Sequence, residues 1–335
     1  MACNRRADAV LFGFDFQVNA AIVLFLENVK EVKSLRLEGD YEDIEIELTS
    51  GEYILAQAKA VQRASNDFKN VKKNMKKAIV TLSEASHKAK AKELIMVTNS
   101  PNPFGDKTCP SAFYGFSKRY YKDLPKQAQN YVDKCLSEIP KPLDKDKFKV
   151  QIIPFETDDD TERYKVIKQC VDDFVGELNT YTSGLGKKLL TFWRSQVFNN
   201  GDKHNSAIKL QKKDIVWPIL VLVTPDNVLD EAFKEQFDVG ILEEVCNRYS
   251  GTIENGVERC EIFIKILSGF NSFNSDKKMS EKINDFIDKK WSDYSNEFSA
   301  EKVDEKVTEA LTKIVMYKVL RQRFLINRVK EVTNI

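Results

Sequence analysis

The side chains of this 335-residue chain best placed to do chemistry together are the carboxylate of Asp43, the amide of Gln57 and the ammonium of Lys59. With few histidines to draw on, they define the kind of hydrolysis open to the chain. His87 and His204 are the only two, each in a lysine-rich polar stretch. A histidine-built zinc site, a His-dependent triad and a two-histidine nuclease mechanism are therefore disfavoured. What is left is hydrolysis by carboxylates and a lysine around a hard divalent cation, for which carboxylate and carbonyl oxygens are the fitting ligands. Neither Gly-x-x-x-x-Gly-Lys-Ser/Thr nor Gly-x-Gly-x-x-Gly occurs, so no nucleotide-binding loop is expected.

Two alternating segments must bring these residues together. Ile44, Ile46 and Leu48 mark one face of a first strand, and Ile54, Ala56 and Ala58 one face of a second. The intervening Thr49-Ser50-Gly51, with Gly51 left-handed, predicts a three-residue hairpin link. A one-residue slip would send the two apolar sets to opposite faces. The matched register pairs Ile46 with Ile54 and Ile44 with Ala56, sets Asp43 opposite Gln57, and leaves Lys59 two residues further on the same face. Ordinary solvated charges on a half-buried hairpin are the competing reading of Asp43, Glu45, Glu47 and Lys59.

The hairpin's surroundings extend the pattern. Phe14 to Val29 reads as a helix and Ser34 to Glu38 as a short strand. A long helical pattern follows Lys59, and Lys92 to Asn99 reads as a buried strand. The resulting order, α-β-β-β-α-β, resembles the core of the PD-(D/E)xK nuclease superfamily. Gly13-Phe14-Asp15-Phe16-Gln17, Glu38 with Asp43-Ile44, Gln57-Ala58-Lys59 and Val97-Thr98-Asn99 carry a resemblance over roughly the first 100 residues. They are similar to the DNA endonucleases of bacterial anti-phage systems, found as CBASS effectors and at the front of the Lamassu nuclease subunit. The short, helical remainder leans toward the Lamassu type, with no counterpart of the CBASS ligand sensor.

The resemblance implies an α/β, restriction-endonuclease-like αβββαβ core followed by a mainly α-helical C-terminal domain. It implies Mg²⁺ (or Mn²⁺) held by Asp43 and Glu38 with the carbonyl groups of Gln57 and Ala58, Lys59 acting on the attacking water, and Gln17 in support. The implied substrate is double-stranded DNA. An SMC-like ATPase complex is the implied partner, and active copies are expected to form homo-oligomers. A catalytically silent, DNA-docking nuclease fold is the alternative, and an RNA-cleaving member of the superfamily is not excluded by the residues.

Charge is distributed unevenly behind a net charge of +1. From Gln57 to Lys92 ten basic residues face only Asp67 and Glu84. Phe68, Val71, Met75, Ile79 and Leu82 recur at helical spacing as a buried face, with Lys69, Lys72, Lys73, Lys76 and Lys77 opposite. Such a stripe suits a DNA backbone, although solvated lysine faces are commonplace.

Beyond Ser100 the aromatic and basic run Phe113 to Tyr121 reads by default as local core. Phe148 to Phe155 reads as a strand, and the acids Asp158 to Glu162 as a helix cap rather than a cation site. Ser183-Gly184-Leu185-Gly186 marks a break, giving a nuclease-like unit over 1–183 and an assembly or partner-docking unit over 187–335. In the latter, Asp214 to Val223 reads as a buried strand among long amphipathic helices, including Lys302 to Val332. Composition is that of a core-forming protein, 42% hydrophobic and 31% charged. The longest apolar run, Ala20 to Leu26, is far short of a bilayer span. Six scattered cysteines without a Cys-x-x-Cys suggest a reduced, cytoplasmic protein with no membrane partner.

Overall fold

Among the described residues, seven strands between Val32 and Gln211 form one sheet, lying in the spatial order fifth, sixth, fourth, third, second, first and seventh along the chain. The computed structural model describes residues 7–62, 68–106, 109, 112–156, 158–179, 184–223, 229, 231–245, 260–297 and 304–335. The opening elements are α1 (Asp8–Glu27), β1 (Val32–Leu37), β2 (Ile44–Leu48), β3 (Tyr53–Lys59), α2 (Phe68–Ser86) and β4 (Ala91–Thr98), in the expected α-β-β-β-α-β order. There follow β5 (Ser117–Tyr120), α3 (Lys126–Ser137), β6 (Phe148–Ile152), α4 (Asp160–Arg163), α5 (Lys165–Glu177), α6 (Leu185–Gly201) and β7 (Leu210–Gln211).

The hairpin register is the one that apolar matching requires. Ile44 pairs with Ala56 and Ile46 with Ile54, and all four side chains are buried. Gly51 takes a φ of 79°, so the left-handed turn falls on the residue free of a Cβ penalty. β1, β2 and β3 run antiparallel, while β3, β4 and β6 are parallel, with α2 as the crossover from β3 to β4. Val71, Met75, Ile79 and Leu82 of α2 are buried, and the last three pack with Leu55, Leu94 and Met96 on one face of the sheet. The side chains of Phe68 and Lys69 lie outside the described residues.

α1 makes contact with β1, β2 and β3 as well as α5. Among the described residues it is long and apolar enough to cross a bilayer, with a hydropathy of 1.9. The polar residues at 15, 17 and 19 therefore do not break its apolar character, contrary to the reading from the longest uninterrupted run. Its side chains from Ala20 to Phe25 are buried in the protein, so the core accounts for this composition.

The chain forms two units, one of Met1–Glu177 with Gly186–Lys212 and the other of Leu178–Leu185 with Lys213–Ile335. The break at 183–187 is thus not the boundary, because most of α6 and all of β7 return to the first unit. Arg36 explains the return. This buried guanidinium on β1 donates to the carbonyls of Asn200, Lys203 and Ile208, while the Asn200 side chain accepts from Leu37 N at 3.1 Å. These bonds pin the 200–208 connection so that β7 can pair with Ser34 and Leu35.

The described elements of the second unit are helices. Asp214 to Val223 is not a strand but part of helix α7 (Lys212–Val223). Its unbroken apolar run fits either state, since it lacks the alternation that would choose between them. Pro218 within the run argues against a central strand, where its missing N–H would break the ladder. The pattern from Lys302 to Val332 is two helices, Glu305–Arg321 and Arg323–Thr333, the first packed against helices Cys260–Ser272 and Met279–Lys290.

Candidate active site

β2 stops at Ile44 while β3 continues to Lys59, and this difference in length creates the site. In the hairpin register, Glu42 is the residue that would next face Ala58. Its carbonyl instead accepts Gly39 N at 3.2 Å as the chain turns away. The carboxylate of Asp43 takes the vacated place. Its Oδ2 accepts Ala58 N at 3.0 Å, accepts the side-chain amide of Gln57, and lies 3.5 Å from Lys59 Nζ. Asp43, Gln57 and Lys59 therefore converge on one face. N–H and C=O of a strand residue point to the same edge, so the Ala58 carbonyl also opens toward Asp43, whereas the Gln57 backbone is turned to β4.

The 38–43 turn is built from within. Glu45, a solvated charge in the competing reading, is buried, and its Oε1 accepts the backbone N–H groups of Tyr41 and Glu42. A Cβ on Gly39 would collide with this carboxylate, which accounts for glycine there. Glu38 adopts φ 52°, an uncommon conformation for a residue with a side chain, and its N–H donates to Asp43 O at 2.8 Å. Gln17 of α1 lies near the Glu38 carboxyl and favours its ionised form.

Two further residues belong to this cluster and escaped the sequence reading. Thr81 of α2 donates to Gln57 Oε1 at 2.7 Å and lies near the Glu42 carboxyl. Glu42 is 6% exposed, and its Oε1 has no hydrogen-bond partner. Burial and the neighbouring Asp43 push the Glu42 carboxyl up to about 8. Glu38 is exposed as a residue, yet partial desolvation of its carboxyl first and Asp43 second also raise it. The signals were present: Glu42 precedes Asp43 directly, and Thr81 lies at i+4 and i+8 from Lys77 and Lys73 on one helical line.

A groove of about 360 Å³ adjoins the cluster, lined by Gln57, Lys59, Lys73, Lys76, Lys77, Val80 and Thr81. The stripe on α2 and the hairpin site thus share one concavity. Lys72 is exposed outside that lining, and Lys76 pairs with Glu138, the residue after α3, at 2.6 Å.

No protein-family model, curated protein or solved structure matches this chain. Its chemistry must be judged from the site alone. Among the described residues no three His, Cys, Asp or Glu side chains are grouped so as to hold a metal by themselves. A mixed oxygen set does fit a hard cation: the Asp43 and Glu38 carboxylates with the Ala58 carbonyl, Mg²⁺ completing its shell with water. The unpartnered oxygen of Glu42 and the repulsion of Glu38 and Glu42 by Asp43 are what a divalent cation would relieve. Gln57 differs from expectation in orientation, presenting its nitrogen to Asp43 and its oxygen to Thr81. Turning the amide by half a rotation would exchange the two.

Other sequence candidates have structural employment. Asp15 accepts from Tyr164 at 2.7 Å, Arg194 at 3.0 Å and Asn19 at 2.9 Å, tying α1 to later helices. Asn99 accepts Val61 N and donates to the Val61 and Phe155 carbonyls, clamping the chain after β3 to that after β6. Asp159 caps α4 by accepting from Thr161 N and Glu162 N, as the capping reading required. In the 113–121 run Phe113 is buried, but Tyr114 and Phe116 are exposed and Ser117–Tyr120 is an edge strand.

Proposed function

We propose that the first unit is a Mg²⁺- or Mn²⁺-dependent endonuclease of the PD-(D/E)xK, restriction-like type, hydrolysing double-stranded DNA with little sequence preference. The observation that carries this reading is the convergence of Asp43, Gln57 and Lys59 beside a lysine-lined groove. Asp43 and Glu38 would hold the cation with the Ala58 carbonyl and, with its amide turned, Gln57. The bound ion supplies a more acidic attacking water and neutralises charge at the phosphate. Lys59 orients that water and stabilises charge gathering on the phosphate oxygens. Lys73 and Lys77 hold the nucleic-acid backbone in the groove, and Gln17 steadies Glu38 from α1.

By its resemblance the protein acts as an effector of anti-phage defence, restrained by an SMC-like ATPase partner and active as a homo-oligomer. Such restraint fits a chain whose motifs include no ATPase loop. One observation favours a second reading. Asp43 Oδ2 already accepts internal donors, as a purely structural carboxylate would, which suits a silent DNA-docking scaffold. Supercoiled plasmid incubated with purified protein separates the readings. Nicking or linearisation that requires Mg²⁺ and is lost in Lys59→Ala supports the nuclease. Binding without cleavage under any divalent metal supports the scaffold, and cleavage confined to a parallel RNA substrate would overturn the choice of DNA.

A further inference from the structure

We propose that Glu42 is a second carboxylate of the metal site, meeting the cation beside Asp43. The inference rests on the metal-dependent reading above and assigns a ligand that the resemblance does not. Its first support is the buried, unpartnered Oε1 of Glu42. Burying a carboxyl oxygen with nothing to bond costs free energy, and such orphans in folded proteins call for an explanation. The second support is connectivity. Glu42 neighbours both Asp43 and Thr81, Thr81 donates to Gln57, and Gln57 in turn donates to Asp43. Two carboxylates and an amide are therefore neighbours at the end of β2.

The placement is built rather than incidental. Glu45 fixes the Glu42 backbone from below, Gly39 leaves room for Glu45 to do so, and the departing β2 strand opens the space. Glu38 is the weaker of the two glutamates for this role. It is exposed to solvent, whereas Glu42 is buried. Asp43 and Glu42 together give a hard cation two carboxylates from adjacent residues, with carbonyl oxygen and water completing the shell.

The test measures Mn²⁺ binding to the full chain without nucleic acid, by electron paramagnetic resonance or calorimetry, for wild type, Asp43→Asn, Glu38→Gln, Glu42→Gln and Glu42→Asp. Circular dichroism and thermal melting in EDTA check that each variant is folded. Glu42→Gln should weaken Mn²⁺ binding by roughly tenfold or more, as Asp43→Asn does, and Glu38→Gln by less. Glu42→Asp keeps the charge but shortens the arm, so it should fall between wild type and Glu42→Gln. Wild-type affinity in folded Glu42→Gln would overturn the assignment while leaving the nuclease reading intact. Wild-type affinity in Glu42→Asp with loss in Glu42→Gln would show that charge alone matters, and would overturn direct ligation. Absence of Mn²⁺ binding by the wild type at millimolar metal would overturn both this assignment and the metal-dependent reading.

Discussion

The carboxylate of Asp43 accepts the backbone N–H of Ala58 at 3.0 Å, at the point where β3 outruns its neighbour β2. A side chain here does the work of a missing strand residue, and so a structural bond and a reactive group occupy the same atom. This duality decides how variants of Asp43 should be designed. Alanine removes the acceptor and leaves the Ala58 N–H and Gln57 amide unsatisfied, at a cost of about 1–3 kcal/mol for a buried group. Asparagine retains an acceptor while discarding the charge.

Asp43→Asn should accordingly abolish Mg²⁺-dependent plasmid cleavage while melting close to wild type. Asp43→Ala should abolish cleavage and also unfold at lower denaturant concentration. Lys59→Ala should be inactive and nearly as stable as wild type, because its ammonium is partly exposed. Cleavage assays paired with urea titrations check all three, and wild-type cleavage by either Asp43→Asn or Lys59→Ala would reject the proposed roles.

The groove makes an ordered prediction for the lysines. Lys73 and Lys77 line it beside Lys59, Lys72 stands outside it, and Lys76 is already engaged by Glu138. Lys73→Glu with Lys77→Glu should therefore weaken DNA binding more than Lys72→Glu. The slope of log affinity against log salt should become shallower by about one for each phosphate no longer neutralised. Affinities measured over a series of salt concentrations supply the check, and equal effects at 72 and at 73 with 77 would show a diffuse solvated face.

Glu42 gives the first unit a pH signature. Burial, reinforced by Asp43, raises its carboxyl from 4.5 to about 8, so between those values the folded chain holds a proton that the unfolded chain has released. Stability from this group is fully present below pH 4.5 and is lost as pH rises through about 8. Glu42→Gln imitates the protonated side chain and should escape that loss. In EDTA the variant should exceed wild type by up to a few kcal/mol above about pH 8, with the difference vanishing near about pH 4. Urea titrations across the pH range read this directly; parallel curves for the two proteins would refute it.

Much of this site was legible because β-strand side chains alternate with a period of two. Fixing Ile44 against Ala56 by apolar matching necessarily set Asp43 and Gln57 together, and Gly51 announced the turn. Glu42, Glu45 and Thr81 were not legible in this way. Their roles depend on how the 38–43 turn folds beneath β2 and on how α2 is rotated over the sheet, which are tertiary facts. The α7 segment failed for a related reason: a run buried on all sides has no polar face from which a period can be read. Arg36 shows the limit of charge-counting, since a cation expected at a surface here organises a buried connection 164 residues away.

Asn99 provides a test of the clamp rather than the chemistry. Its amide satisfies three backbone groups, at Val61 and Phe155, close to the end of β3 that carries Lys59. Asn99→Ala should destabilise the first unit by roughly 2–4 kcal/mol, the range for leaving buried backbone groups unpaired. Because the clamp lies beyond Lys59, cleavage should fall as well, even at temperatures where the variant stays folded. Thermal melts and plasmid assays at low temperature separate the two effects, and an unchanged melting temperature would show that the clamp is redundant.

The last expectation concerns the C-terminal helices, which the resemblance assigns to assembly. Helix Glu305–Arg321 buries Val307, Leu311, Ile314, Val315, Met316, Val319 and Leu320. Each such side chain contributes about 1.5–3 kcal/mol when fully buried, and together they are comparable to or larger than the net stability of an ordinary domain. Deleting Lys302 to Ile335 should therefore unfold the second unit rather than merely detach a docking arm, seen as excess loss of helical signal and rapid proteolysis within 213–297. Association must be tested with a surface change instead. Phe324 is 73% exposed on the final helix, so Phe324→Asp should leave the fold intact. If copies associate through this helix, the substitution should shift light-scattering mass toward the monomer and reduce double-strand breaks more than nicks, because one site cuts one strand. A wild type that stays monomeric at every concentration and still linearises plasmid would remove self-association from the mechanism.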